Sequence, residues 1–160
     1  MISPEEFRAG MTRWATGVTI VTARAGDTLH GMTVSDFSGV SLSPPLVVVC
    51  ADKTSVTHSV IEQGRCFAIN VLAAGQEELS NRFASKKDEY RRFEGLSLET
   101  GMTGAPLLPD VLASFDCSLV ATHDAGDHDM YVGQVEEIIV RDLEPLVFYH
   151  GRYRALADGS

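Results

Sequence analysis

Nowhere does the sequence hold an apolar run near the roughly 20 residues that a helix needs to cross a bilayer, and its first residues lack the basic and apolar regions of a secretion signal. The expectation is a cytoplasmic chain. Basic residues are scarce: Lys and Arg number 13 against 22 Asp and Glu, a formal charge of −9, which argues against a phosphate-backbone partner such as nucleic acid. Cysteine is scarce too. Cys50, Cys66 and Cys117 are odd in number, each lies in an apolar run, and their spacing suits neither a zinc site nor a disulfide frame. Also missing are the G-x-G-x-x-G fingerprint and the G-x-x-x-x-G-K-[ST] loop, so no Rossmann unit can be assigned. At 160 residues the chain is the size of one domain with a sizeable core, and residues 1–160 are read as a single unit.

What the sequence does have is the stretch 31–50, GMTVSDFSGVSLSPPLVVVC, around which the rest is arranged. It holds two strand-like runs, 32–37 and 46–50, separated by a segment dense in Ser and Gly and by Pro44-Pro45. Proline cannot donate to a sheet ladder, so the chain must turn or run along an edge before the buried run Leu46-Val47-Val48-Val49. Small polar residues fill a core poorly, but they let backbone amides approach a flat polar ligand closely. The plainer alternative is a hairpin connection with hydrophilic filler.

Upstream, Ser3-Pro4-Glu5-Glu6 reads as a capped helix start with a Ser3/Glu6 capping box. Phe7, Met11, Trp14 and Ala15 then share one face, which predicts a helix running to Gly17 and docked on the body of the domain. The β-branched run 18–22 predicts a strand, and Gly26-Asp27 a hairpin turn. After Cys50 the chain passes from strand to helix, with Thr54 or Ser55 as N-cap and a stop at Gly64. Hydroxyls at a helix start beside Lys53 make a phosphate seat or an ordinary cap. Phe67, Ile69 and Val71 alternate as a strand with one strongly apolar face. Residues 77–93 are helical in character and carry the densest basic patch, Arg82, Lys86, Lys87, Arg91 and Arg92, which is either a solvated face or a holder of nucleotide phosphates. Residues 95–109 are loop-like, and further strands are expected over 115–121, 132–140 and 146–149. About six or seven strands with few helices and no βαβ rhythm suggest a closed or partly open antiparallel barrel.

The stretch 31–37 followed by Val40-Ser41-Leu42 and Pro44-Pro45-Leu46-Val47 closely resembles the signature of the flavin reductase-like family, the small reductases that feed reduced flavin to two-component monooxygenases. The similarity is ordered along nearly the whole chain. It takes in Phe7, Gly17-Val18-Thr19, Asn70-Val71-Leu72, Phe83-Ala84, Gly126-Asp127-His128, Gly133-Gln134-Val135 and 149–153. The resemblance implies a mainly β FMN-binding split β-barrel, antiparallel and Greek-key related, with a few short flanking helices. It implies FMN or FAD as cofactor, NADH or NADPH as co-substrate, a homodimer, and a separate monooxygenase reached by diffusible reduced flavin. Carried over residue by residue, it places the flavin against Thr33, Val34, Ser35, Asp36, Phe37, Val40, Ser41 and Leu42, with its phosphate near Ala51, Asp52, Lys53, Thr54, Ser55 and Thr57 and further contacts at Phe83, Ala84 and Ser85. The nicotinamide site falls to His128, Tyr149, Gly151 and Tyr153.

Hydride transfer between nicotinamide and flavin requires no obligatory catalytic residue, because the cofactor does the electronic work and the protein supplies position and dryness. The cluster His123-Asp124-Ala125-Gly126-Asp127-His128-Asp129 reads first as a polar surface loop, though on paper it has enough ligands for a metal. The resemblance assigns His128 to nicotinamide and no metal. One residue departs from the pattern: many relatives carry a small hydroxyl residue at Asp36, and a carboxylate facing reduced, anionic flavin would repel it. Competing readings are a flavin-binding split-barrel protein without pyridine nucleotide, such as an electron carrier or oxidase, and a cofactor-free structural or metal-binding domain.

Overall fold

A computed structural model describes residues 1–158. The elements run α1 (Pro4–Met11), β1 (Thr16–Gly17), β2 (Thr19–Ala25), β3 (Thr28–Val34), β4 (Phe37–Leu42), β5 (Pro45–Asp52), α2 (Val56–Gly64), β6 (Cys66–Val71) and α3 (Glu77–Ala84). A 3-10 turn (Glu89–Arg91) follows, then β7 (Glu99–Thr100), β8 (Pro106–Leu107), β9 (Ala113–Ala125), β10 (His128–Val140), β11 (Val147–Tyr149) and β12 (Arg152–Arg154).

Seven strands form one antiparallel sheet in the order β3-β2-β6-β9-β10-β5-β4. Its two edge strands are consecutive in the chain. Laid flat, six inter-strand spacings would hold those edges about 29 Å apart, yet the three peptide steps from Val34 to Phe37 reach no more than about 11 Å. The sheet therefore curls round until β3 and β4 meet at one end without pairing, which is the barrel with a split that the sequence suggested. Side chains from β2, β3, β5, β6, β9 and β10 fill its interior, among them Val21, Val34, Val49, Phe67, Cys117 and Tyr131. At Gly133 a Cβ would stand 2.6 Å from the Phe67 ring and 2.8 Å from Cys117 Cβ, so only glycine lets β10 cross the filled barrel there. A second core, with Ile20, Leu79, Phe83 and Val111, lies outside β2 and β6 under α3. A third, small cluster of Cys66, Ala68, Ala105 and Leu107 covers the other face of β6, so that strand is buried on both faces where the alternation at 67–71 predicted one strongly apolar face.

Several local expectations are corrected. The capping box forms, with Glu6 N donating to Ser3 Oγ at 3.2 Å and Ser3 N to Glu6 Oε2 at 2.8 Å, but α1 ends at Met11 because 16–17 pair with β11. No residue of α1 is buried, so its Phe7–Met11 face does not dock on its own barrel. The Ser/Gly segment is itself strand β4, with a register shift between Gly39 and Ser41. The helix expected over 77–93 stops at Ala84, where Ser85 turns extended, and the 3-10 turn starts after Asp88 in the left-handed region (φ 54°). Helix α2 does end at Gly64, but Arg65 takes the left-handed cap. Gly64 is needed for a different reason: a Cβ there would lie 1.8 Å from the Arg24 carbonyl oxygen of β2.

Candidate functional site

At the split, Ser35 and Asp36 are the exposed link between β3 and β4, closed by Phe37 N donating to the Ser35 carbonyl at 3.1 Å. Val34 is buried, and the half-buried Phe37 packs on Phe115 with ring centroids 5.4 Å apart, so the link is anchored at both ends. The Thr33 hydroxyl is spent on the Ser80 carbonyl of α3 at 2.6 Å. Along β4, Val40 and Leu42 are exposed and Ser41 is half-buried. Nothing lies within 4 Å of a Cβ placed at Gly39. This edge is an open shelf of small polar residues.

The next wall is the turn from β5 into α2. Ala51 and Thr57 are interior, and the Thr57 hydroxyl is 2.7 Å from His30 Nδ1, so neither side chain is offered to a ligand. Asp52 Oδ1 accepts from the Thr54 amide at 2.7 Å and the Thr54 hydroxyl at 2.6 Å, which holds its carboxyl below the ordinary range. Ser55 is the N-cap, accepting from His58 N at 3.1 Å. The first-turn amides of Val56 and Thr57 find no acceptor among the described residues. Lys53 turns the other way. Its ammonium pairs with Asp124, donates to the Gly126 carbonyl at 2.6 Å and lies 3.9 Å from Asp129 Oδ1; the Asp124 bond first, then the Asp129 and Asp127 charges, raise its pKa. The expected free charge of Lys53 is thus engaged in fastening the β9–β10 hairpin to this turn. Lys86 and Lys87 of the basic patch have no ion-pair partner among the described residues, and of the two it is the Lys86 charge that is felt at Asp52.

That hairpin carries His128 at the start of β10, in register with Asp52 of β5. Its side chain is 38% exposed, and Nδ1 lies 2.8 Å from Asp127 Oδ1, a contact that pulls the Asp127 carboxyl below its ordinary range. Among the described residues, no three His, Cys, Asp or Glu side chains converge as metal ligands. The other residues expected around nicotinamide come from a second sheet. Tyr149, Gly151 and Tyr153 belong to the separate β1-β11-β12 sheet, with Gly151 at the hairpin turn (φ 75°). Tyr153 donates to Ser80 Oγ at 2.8 Å or Asn81 Oδ1 at 2.7 Å, and Tyr149 lies under Arg154. Phe83 is wholly buried, edge-on to Phe93 at 5.1 Å, and leaves Ala84 and Ser85 as the exposed part of that segment.

The basic patch is mostly self-satisfied. Arg82 pairs with Glu78 and Arg91 with Glu94 around an open groove of about 750 Å³, while Arg92 is buried. Sequence reasoning missed the roles of Lys86 and Arg92, because a run of cations reads the same whether it faces solvent or core.

Residues 11–157 match the flavin reductase like domain. The chain belongs to the flavin reductase-like family. It is 42% identical over 147 residues to the FMN reductase (NADH) SmoA of Agrobacterium fabrum, covering 92% of this chain and 83% of that protein. It is 37% identical to HsaB of Rhodococcus jostii, the reductase subunit of a flavin-dependent monooxygenase, covering 97% of this chain and 79% of that one. Among solved structures it superposes with a TM-score of 0.89 on the Streptomyces globisporus NADH:FAD oxidoreductase SgcE6 in complex with NAD and FAD fragments, at 33% identity, over 98% of this chain and 96% of that one. In this flavin reductase-like chain the polar groups fit a flat ring carrying a phosphate: an exposed hydroxyl and an accepting carboxylate at the link, an open shelf at Gly39, and donating amides at a capped helix start. The departure at Asp36 lies on the exposed link beside half-buried Cys50, whose thiol is pushed up by burial and by the Asp36 charge.

Proposed function

We propose that the protein is an NAD(P)H:flavin oxidoreductase that passes hydride from NADH or NADPH to FMN or FAD and supplies the reduced flavin to a separate flavin-dependent monooxygenase. The observation that carries this is one of convergence: the β3–β4 link at Ser35–Asp36, the Ser55-capped start of α2 and the Asp127–His128 pair lie at the Asp52 end of β5, and β4 runs from there back along β5 as the shelf. The flavin supplies the hydride-accepting atom and the electronics. Ser35, Asp36 and the backbone of 33–42 hold the ring edge, with Thr54, Ser55, the α2 amides and Lys86 at the phosphate. His128 orients the nicotinamide carboxamide. Donation of Nδ1–H to Asp127 fixes the tautomer and leaves Nε2 as the acceptor pointing outward. Tyr149, Gly151 and Tyr153 serve the same cleft from the β11–β12 side.

The relatives' NADH, FMN and FAD dependence and monooxygenase partnership support this reading. Residues 1–160 act as one domain and as a homodimer, the latter supported by the uncovered α1 face. The three free thiols suit the reducing cytoplasm. Anaerobic addition of NADH to the protein with bound FMN tests the reading: rapid bleaching of the flavin absorbance is expected. A protein that binds FMN but leaves it oxidised under NADH and NADPH would instead be an electron carrier or oxidase on the same barrel.

A further inference from the structure

Arg92 is only 4% exposed, and burying a guanidinium is costly unless its surroundings replace water. They do so incompletely. Nη1 donates to the Gly31 carbonyl at 2.8 Å and Nη2 to the Ser85 carbonyl at 2.6 Å. Glu89 Oε1 lies 3.5 Å from Nη2, and Nε is left without a partner. Burial accordingly lowers the Arg92 pKa. For stability alone an apolar side chain of similar volume would serve this space as well. What an apolar side chain cannot do is join two carbonyls on different elements. Gly31 lies in β3 just before the 33–37 wall, and Ser85 is the extended residue at which α3 ends. The clasp also reaches the third wall. Glu89 Oε2 is 3.4 Å from His30 Nε2, and His30 Nδ1 is 2.7 Å from the Thr57 hydroxyl in the first turn of α2.

We infer that Arg92 is a positioning residue that sets the spacing of the three walls of the flavin pocket through Gly31, Ser85 and, by way of Glu89 and His30, Thr57, without touching the flavin. The inference rests on the reading that flavin lies against 33–42, Ser85 and the α2 start. Arginine is required because its rigid fork reaches both carbonyls at once, whereas a lysine ammonium on the same path would hold one. Arg82 and Arg91 do not share the role: Arg91 pairs with Glu94, and Arg82 with Glu78 and the carbonyls of Arg92 and Glu94, so neither reaches β3 or α2.

The test is FMN titration by fluorescence quenching alongside thermal unfolding, for the parent, Arg92→Met, Arg92→Lys and Val111→Ala. Val111 is wholly buried in the second core and touches none of the clasp hydrogen bonds. Arg92→Met is expected to weaken FMN binding by about tenfold or more, the order found when a supporting partner behind a bound group is lost. Arg92→Lys should fall between it and the parent. Val111→Ala should lower the melting temperature and leave the FMN Kd unchanged. The inference is overturned if folded Arg92→Met binds FMN like the parent, or if the Val111→Ala Kd rises in proportion to its loss of stability. Should Arg92→Met fail to fold, Arg92→Lys decides by the same criterion. A parent that binds no FMN would remove the site reading itself, and the clasp with it.

Discussion

With Nδ1 turned to the Asp127 carboxylate, His128 holds one ring nitrogen free at the edge of a cleft rather than in the core. One hydrogen bond to an uncharged group is worth about 0.5–1.5 kcal/mol, roughly two- to thirteen-fold. His128→Ala is therefore expected to raise the apparent KM for NADH by that factor and to leave the FMN Kd close to the parent's. Anaerobic stopped-flow across an NADH series measures the first and titration the second; superimposable traces would remove His128 from the nicotinamide site. The sequence made His128 visible only through its neighbours Gly126 and Asp127, and the cluster around it read first as a polar surface loop, with metal ligands as the lesser alternative. In the structure Lys53 takes Asp124 and His58 takes Asp129 at 2.7 Å, leaving His128 with Asp127 alone. The same pairing explains why Lys53, read as a phosphate cation, turned out to fasten the hairpin. A charge's partner lies far along the chain, and spacing does not reveal it.

Between elements, the buried His30 ties β3 to α2 through Thr57 and to the 3-10 turn through Glu89. Burial lowers its pKa, with the Arg92 charge adding to the effect and Glu89 opposing it less strongly. An unfolded histidine takes up its proton near pH 6.5, whereas the folded one resists until lower pH. Unfolding therefore binds a proton as pH falls below that value, so His30's contribution is complete above about pH 6.5 and is lost on acidification. Denaturant midpoints measured from pH 7.5 down to 5 should fall more steeply for the parent than for His30→Gln; parallel profiles would mean that His30 takes up its proton equally in the folded and unfolded states. Local chemistry made some elements plain in the sequence. Ser3 with Glu6, Gly26 at a hairpin, and the Thr54-Ser55 pair before α2, of which Ser55 is the cap, each announce themselves by capping or turn geometry. The break at Ala84 did not, because the helical pattern of 77–93 is interrupted by Arg92 folding back to Ser85 and Gly31, a tertiary event. The strand β4 was hidden for a related reason: Ser and Gly have little strand preference, and pairing with β5 imposes it.

For the whole molecule, the curled sheet buries its interior but leaves apolar surface outside. Phe7 and Met11 of α1 and Trp14 just beyond it are 59%, 47% and 70% exposed, and Val40 and Leu42 on β4 and Met130 two strands away on β10 are 56%, 94% and 36% exposed. Singly exposed apolar residues are ordinary, but two groups of them on a small chain indicate a covered surface. A net charge of −9 sets each copy against the next, so what overcomes that repulsion has to be apolar contact. The expected occupant is a second copy, because a two-fold axis lets one patch cover its own equivalent. Light scattering should then give twice the 17.3 kDa chain mass at micromolar concentration. Phe7→Ser with Trp14→Ser should shift the mass toward one chain if α1 lies in the contact. These side chains are exposed in the single chain, so the variant's unfolding transition should persist while its mass falls. A parent of 17.3 kDa that holds flavin and reduces it at full rate would show that one barrel suffices.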